Sequence, residues 1–546
     1  MRLATLPLKM SKAAPAPSPI ASATNPPAFQ GQEHPTDVRM SCILAAKAVA
    51  DAVRSSLGPR GMDKLIQDKN GEVIITNDGA TILKHMGAAH PAAKLMVSMS
   101  QAQDVAAGDG TTSVVIFAGA FLNACKRLLE RKLHPSLISD ALKVTTDEAL
   151  KIISEMKIPF GNGTTFTEEE RETLIESAAT SLSSKLASNW SDILAPLAVD
   201  SVLKVADGKT VDLKDIRVVQ KVGGVLDDSE IVDGIVFEHR LLRASGEPRT
   251  IKDAKIALIQ FQISPPKTDM ESQVVLNDYH QMDRVQREQR AYIIKIVNAI
   301  AKTGANVVLL QKSVLRDAIT DTAHMYLQKK GILVVKDIER DEVDFVCRTL
   351  GCKPIASVEG LSADKLGHAD EVKEVATTGG AIVKITGLKQ VAKTVTVLLR
   401  GSNELMIGEA ERSLHDALCV IRSLVYERSL LPGGGASEVE MAVKLAKKAD
   451  EIGGEIGHCI REFALSLDIV PYTLAENAGL APLDVVTQMR EAHSAGKKNW
   501  GVSIHGPADM VQENVLQPFL VTKSAISFAS ETVRMILKVD DILATL

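Results

Sequence analysis

The hexapeptide Gly108-Asp109-Gly110-Thr111-Thr112-Ser113 and the apolar run behind it, VVIFAGAFLNACKRLLERK, constrain this chain more than any other feature. The run has the length and composition of a buried helix that begins at about Thr111. Glycines in front of it let the backbone approach a ligand closely. The first free N–H groups of a helix point out of its start, where partial positive charge collects, so phosphate is the natural guest. An acid inside such a loop repels phosphate unless a divalent cation lies between them, which reads Asp109 as a Mg2+ ligand. Taken alone, the six residues read better as an ordinary capped turn, with Asp109 and Thr111 as competing N-caps.

A chain of 546 residues is long enough for several domains with large cores. Its net charge of -5 gives no reason to expect a nucleic acid or an anionic membrane as partner. Aromatic residues are only 3%, too few for base-stacking platforms. No apolar run reads as long enough to span a bilayer. The six cysteines (Cys42, Cys125, Cys347, Cys352, Cys419 and Cys459) are scattered and form no C-x-x-C pair, which suits a reducing cytosol. Cys347 and Cys352 can approach each other, but two thiols do not make a zinc site.

Residues 1 to about 35, rich in Ala, Ser and Pro, read as a disordered tail rather than a transit peptide. A helix follows, with Thr36 or Asp37 as its cap. It stops at Ser56-Leu57-Gly58-Pro59-Arg60-Gly61, a second glycine-bearing loop. Residues 72–83 read as a hairpin whose Asn77-Asp78-Gly79 turn exposes a carboxylate at its tip, and turn formation alone accounts for that aspartate. A further helix is expected from Thr167 to about Ser188. Gly208-Lys209-Thr210 looks like the end of a P-loop, but the first glycine that motif requires falls on Leu203, so it is rejected. From about 232 to 384, short β-branched runs (AKIALIQFQI, NVVLLQ, ILVVKDI) alternate with helices expected at 283–302 and 315–330, the pattern of a parallel α/β layer. PPKTDMESQVVLNDYHQ, between the first strand and the helix at 283, reads as a functional excursion. Beyond it come a strand at 394–400, a helix from about Met406 carrying His415 and Asp416, and a third glycine loop, Leu431-Pro432-Gly433-Gly434-Gly435. The rest is mostly helical and ends in a β-type tail at 536–543.

Each loop is a weak signal by itself, but their order and distances are specific. SLGPRGMDKLI, TNDGATIL, GDGTTS, ERSLHDAL and LLPGGGASE together resemble the ATP-site motifs of the type II chaperonins, and the resemblance covers the chain from about residue 36. Within that family the chain is most similar to subunits of the eukaryotic cytosolic chaperonin, the tailless-complex-polypeptide ring complex. RGSNELMIGEAERSLHDALCVIRSLV, SPPKTDMESQVVLNDYHQMDRV and the Gln517-Pro518 pair look like one of its subunit types in particular.

The resemblance implies a multi-domain α+β chaperonin fold. A mainly helical equatorial ATPase domain would span 36–160 and 419–546, a small intermediate hinge domain 161–231 and 385–418, and an α/β apical domain 232–384 with a helical protrusion at about 264–300. It implies ATP and Mg2+ as cofactors, with Asp109 as the metal ligand. Asp78 and Asp416 would position and activate the attacking water. Leu57, Gly58, Pro59, Gly110, Thr111, Thr112, Ser113, Gly434 and Gln517 would contact nucleotide. Lys185 falls where the family places a γ-phosphate sensor, and a surface-helix lysine reads equally well there. Two departures are visible. Arg60 replaces the lysine more usual in its loop, and Gln517 stands where many members carry an acid near the ribose or adenine end.

The protrusion would act as a lid, and the helix at 315–330 would border a substrate groove, with Asp321, His324 and Gln328 as cavity-facing candidates. Hairpin 72–83 and the tail 536–543 would pair between neighbouring subunits, intrachain pairing being the other reading. The implied partners are paralogous subunits of a cytoplasmic double ring and non-native polypeptides such as actin and tubulin. A free-standing small-molecule ATPase and a scaffold that has lost catalysis are the competing classes. The first needs its own acid–base pocket, which the middle of the chain does not offer, and the second is weakened by the presence of all three aspartates.

Overall fold

The computed structural model of this chain describes residues 35–67, 71, 73–161, 166–183, 189–208, 210–242, 249–265, 279–313, 317–388 and 393–542. In its first third the chain forms α1 (Pro35–Arg54), β1 (Lys64–Gln67), β2 (Val73–Thr76), α2 (Gly79–His85), α3 (Pro91–Ala107), α4 (Thr111–Glu130), α5 (Pro135–Glu155) and β3 (Ile158–Pro159). Next come α6 (Glu168–Leu182), α7 (Ser191–Val205), β4 (Ile216–Val222), β5 (Glu230–Val232), β6 (Gly234–Phe237), β7 (Thr250–Ile259), α8 (Tyr279–Thr303), β8 (Val307–Gln311), α9 (Asp321–Lys329), β9 (Leu333–Ile338), α10 (Glu342–Leu350), β10 (Gly367–Thr377), β11 (Gly380–Leu388) and β12 (Val395–Gly401). The last third holds α11 (Glu404–Tyr426), β13 (Ser429–Pro432), α12 (Ala436–Ile452), α13 (Gly454–Leu467), α14 (Ile469–Ala478), α15 (Pro482–Ser494), β14 (Trp500–Ser503), β15 (Gly506–Asp509), β16 (Leu516–Pro518) and α16 (Phe519–Leu537).

Helix α4 is apolar almost all round, and such a helix is stable in water only when other helices enclose it. Helices from both ends of the chain do so. Val114, Phe117, Phe121, Leu122, Cys125 and Leu128 of α4 share one core with Ala46 and Val53 of α1, Ile460 and Phe463 of α13, and Ala529 and Val533 of α16. Phe121 stands edge-on to Phe463 with ring centroids 6.0 Å apart, joining the two halves of the chain directly. This corrects one expectation, because α4 is long and apolar enough by length and composition to cross a membrane. Its most apolar window is 61% buried inside the fold, as befits a core helix.

The middle of the chain builds a six-stranded sheet in the order β6-β11-β10-β7-β8-β9. Strands β7, β8 and β9 are parallel, as their apolar runs imply, whereas β10 and β11 form an antiparallel hairpin continuing to β6. Both faces are covered, which is why the runs are continuously apolar instead of alternating. Ala257, Ile259, Val308 and Leu310 pack under Ile293, Ile296 and Ile300 of α8 and Ala323 and Leu327 of α9. Ile256, Leu258, Leu309 and Val335 pack on the other face against Val343, Phe345 and Val346 of α10. Between the helical and sheet bodies, α6, α7 and α11 share a third core with β4 and β12. A small sheet, β16-β13-β3, again draws on both chain ends.

Several local expectations are corrected. Residues 72–83 are not a hairpin. The strands that pair are β1 and β2, with Leu65 opposite Ile75, and Asp78 starts helix α2 instead of a turn between strands. Burial of Ala80, Ile82 and Leu83 decides for helix over strand. Helix α9 starts at Asp321, not 315, since Ile319 bridges to Ile263 in extended conformation. The tail at 536–543 is not a strand among its described residues. Helix α16 runs through Leu537, and Arg39 Nε donates to Val539 O 3.0 Å away. Helix α6 has the expected start, a capping box between Thr167 and Glu170, but its described part ends at Leu182. Residues 184–188, with Lys185, lie outside the described residues, as does 266–278 of the excursion.

Candidate functional site

The loop between α3 and α4 is built from its own sequence. Gly108 ends α3 with φ 72° and Gly110 precedes α4 with φ 75°, both in the left-handed region where a side chain is strained. Two such residues in three fold the chain back sharply and leave the first amides of α4 facing outward. Gly110 N donates to Asp109 Oδ1 at 2.6 Å, and Gln103 Nε2 holds Asp109 O at 2.9 Å, so the aspartate's backbone is anchored from below. Neither of the expected caps is used. Gly110 occupies the N-cap position and makes no side-chain cap.

Asp78 reaches the same place from another element. As the N-cap of α2 it accepts from Ala80 N (3.1 Å) and Thr81 N (2.9 Å), and it also accepts from Thr81 Oγ1 (2.7 Å). Thr111 Oγ1 donates to Asp78 Oδ1 across 3.1 Å, joining the two loops. Four donors to one carboxylate fix its direction.

Asp416 is buried on α11, and Gly434 lies in the left-handed turn between β13 and α12. The 56–61 loop is tied down by Asn477 Nδ2, which donates to Arg54 O (3.2 Å) and Leu57 O (2.8 Å). Arg60 donates to Ala478 O at 3.2 Å. Gln517 pairs with Leu431 in the small sheet and donates from Nε2 to Thr522 Oγ1 at 2.8 Å.

These elements enclose one cavity of about 600 Å³. Its wall includes Leu57, Gly58, Pro59, Asp78, Asp109, Gly110, Thr111, Thr112, Ser113, Asp416, Gly434 and Gln517, which is every singled-out site residue except Lys185. Residues far apart in sequence converge there because cores from both chain ends interlock. Reading the sequence missed Asn477, Glu438, and the rim pair in which Asn514 Nδ2 donates to Glu176 Oε1 at 3.1 Å. Glu438 lies three residues past the glycine turn, within the quoted LLPGGGASE motif, so position could have flagged it. Nothing local marks Asn477 or Asn514.

The wall carries the carboxyls Asp78, Asp109, Glu176, Asp416, Glu438 and Glu513 against one guanidinium, Arg60, among the described residues. Burial pushes the Glu438 carboxyl above its ordinary value, while hydrogen bonds from Ser437 and its own backbone oppose that shift. An anion entering such a wall needs a cation with it. No three His, Cys, Asp or Glu side chains among the described residues cluster closely enough to cage a metal. The donor set suits an ion like Mg2+, which takes one or two carboxylates and completes its shell with water and phosphate oxygens. A glycine-lined helix start, an anchored carboxylate and an acidic wall together fit a metal–polyphosphate ligand.

The chain matches the TCP-1/cpn60 chaperonin family over residues 49–545. A T-complex protein 1 subunit delta of Schizosaccharomyces pombe is 52% identical over 526 residues, which is 95% of this chain and 99% of that protein. The protein of the same name from Bos taurus is 50% identical over 550 residues, 97% of this chain and 100% of its own length. That of Homo sapiens is 50% identical over 524 residues, covering 95% and 96%.

Proposed function

Since the chain belongs to the TCP-1/cpn60 chaperonin family, we propose that its cavity binds and hydrolyses Mg-ATP and that it works as the delta-type subunit of a cytosolic double-ring chaperonin. The observation that carries this reading is the convergence of Asp78, Asp109 and Asp416, from three separate motifs, on one cavity beside the start of α4. The same reading assigns domains. The helical body from both chain ends is the equatorial ATPase domain (36–160 and 419–546). The core around α6, α7 and α11 is the intermediate hinge (161–231 and 385–418), and the six-stranded sheet with its helices is the apical domain (232–384).

Phosphoryl transfer needs mostly positioning and charge neutralisation. The amides at the start of α4 and the hydroxyls of Thr111, Thr112 and Ser113 would hold phosphate oxygens. Asp109 would hold Mg2+, which supplies neutralisation of the phosphate charge. Asp78, its direction fixed by four donors, would orient the attacking water, and Asp416 would take its proton. Asp416 sits on α11, whose core is shared with the hinge, so domain closure would complete the site. Gln517 is neutral and already engaged by Thr522, so it would add polarity but no charge at the base or ribose end. Closure would carry the apical helix α8 over a non-native polypeptide held in the ring.

The test is single-turnover hydrolysis by the complex isolated through this chain. Asp109→Ala and Asp416→Ala are each expected to remove this subunit's share of phosphate release, by about 100-fold or more at this site. Undiminished release by both variants would sink the assignment.

A further inference from the structure

Helix α11 carries Asp416, yet the loop that carries Asp109 belongs to a different body, so something must set their separation. We infer that Arg422 is a positioning residue that docks α11 on the end of α3 and thereby brings Asp416 into the site. This deepens the reading of the cavity as a Mg-ATPase and rests on it.

The last four carbonyls of a helix lack partners within that helix. In α3 these belong to residues 104–107, immediately before Gly108 and Asp109. Arg422 Nη2 donates to Val105 O and to Ala106 O, each at 3.2 Å. A guanidinium at a helix C-terminus also meets the negative end of the helix dipole, which strengthens the contact. The clamp therefore joins the segment that ends in the Asp109 loop to the helix bearing Asp416, two turns along from that carboxylate.

A second contact makes the joint tight. A Cβ placed on Gly108 would stand 2.0 Å from Cys419 Cβ, so α11 rests directly on the backbone of the turn. Asp416, Cys419 and Arg422 lie on successive turns of α11, and the last two touch the α3–α4 junction. Loss of the clamp removes these two hydrogen bonds between α11 and the last turn of α3, and Asp416 then shifts away from the Asp109 loop. Neither Arg422 nor Cys419 lines the cavity, so nucleotide contacts on the α4 side stay intact.

The experiment uses the complex isolated through this chain, with photolabelling of the chain by 8-azido-ATP as the binding readout and single-turnover phosphate release as the chemical one. Arg422→Ala is expected to label like the parent while losing the same share of phosphate release that Asp416→Ala loses. Arg422→Lys, which keeps a donor for one carbonyl, is expected to recover at least half of that share. Full release by Arg422→Ala, with Asp416→Ala impaired, overturns the inference and leaves the site reading standing. Labelling that falls together with release also overturns it, since Arg422 would then serve binding or folding. Full release by Asp416→Ala would overturn the site reading itself and this inference with it.

Discussion

Two carboxylates show how a residue's type and its environment divide the work. Asp78 is a good turn former on local grounds, and the structure uses that same ability to cap α2, in the direction that faces Thr111. The residue was legible in the sequence as a carboxylate of interest, but its partners were not, because Thr111 is 33 positions away. Glu440 was not legible at all. Its side chain is 5% exposed, accepts from His493 Nδ1 at 2.8 Å and lies 3.4 Å from Lys444. Burial pushes its carboxyl up, but His493 and Lys444 outweigh burial and hold it below the ordinary 4.5. A depressed carboxyl stabilises the fold above the unfolded-state value, and that contribution disappears as pH falls through the lower folded value. Glu440→Ala is expected to cost about 3 kcal/mol at pH 7, since it leaves His493 buried without its partner. It should also remove part of the parent's stability loss below about pH 4.5. Urea unfolding of both proteins at pH 7 and between about pH 5 and 3 measures this, and parallel losses in the two would count against it.

At the level of elements, helix α4 was readable at once, since a long apolar run after a glycine turn has few alternatives. Short apolar runs were less decisive. ATIL after Asp78 has the β-branched content of a strand but forms part of α2, because Ala80, Ile82 and Leu83 are buried together from one helix. The tail had the same ambiguity, and α16 claims its first residues. Strands β10 and β11 pair with each other across a tight turn, but their outer partners, β7 and β6, lie more than a hundred residues upstream, so their place in the sheet went unread. The element that joins the chain's halves can be tested. Phe121 on α4 stacks with Phe117 at 6.3 Å and meets Phe463 of α13 edge-on. Phe121→Ala is expected to cost about 3–5 kcal/mol through lost contacts and the cavity left behind. Its thermal unfolding should fall by several degrees while Mg-ATP binding by the folded fraction stays near the parent's. A loss below about 1 kcal/mol would mean the two halves are held mainly elsewhere.

The whole molecule interleaves its ends, so the helical body exists only once α1–α5 and α12–α16 have met. That body exposes Met62, just before β1, and Leu65 and Val73 of the β1–β2 pair. If the proposed ring forms, sixteen chains of 58.6 kDa give about 940 kDa. Native mass spectrometry of the protein from its own cells should find that particle, with companions of related sequence. A stable 58.6 kDa monomer that hydrolyses ATP would instead favour a free-standing ATPase. By itself the sequence carried the family resemblance, the glycine turns and the candidacy of Asp78, Asp109 and Asp416, because these rest on residue type and spacing along the chain. Only the tertiary structure decided that those aspartates share a cavity, that Asn477 and Glu438 line it, and that Arg422 ties α11 to the end of α3. Their partners are backbone carbonyls, neighbouring side chains and cavity walls supplied largely by other segments, and no local pattern encodes which segments will pack together.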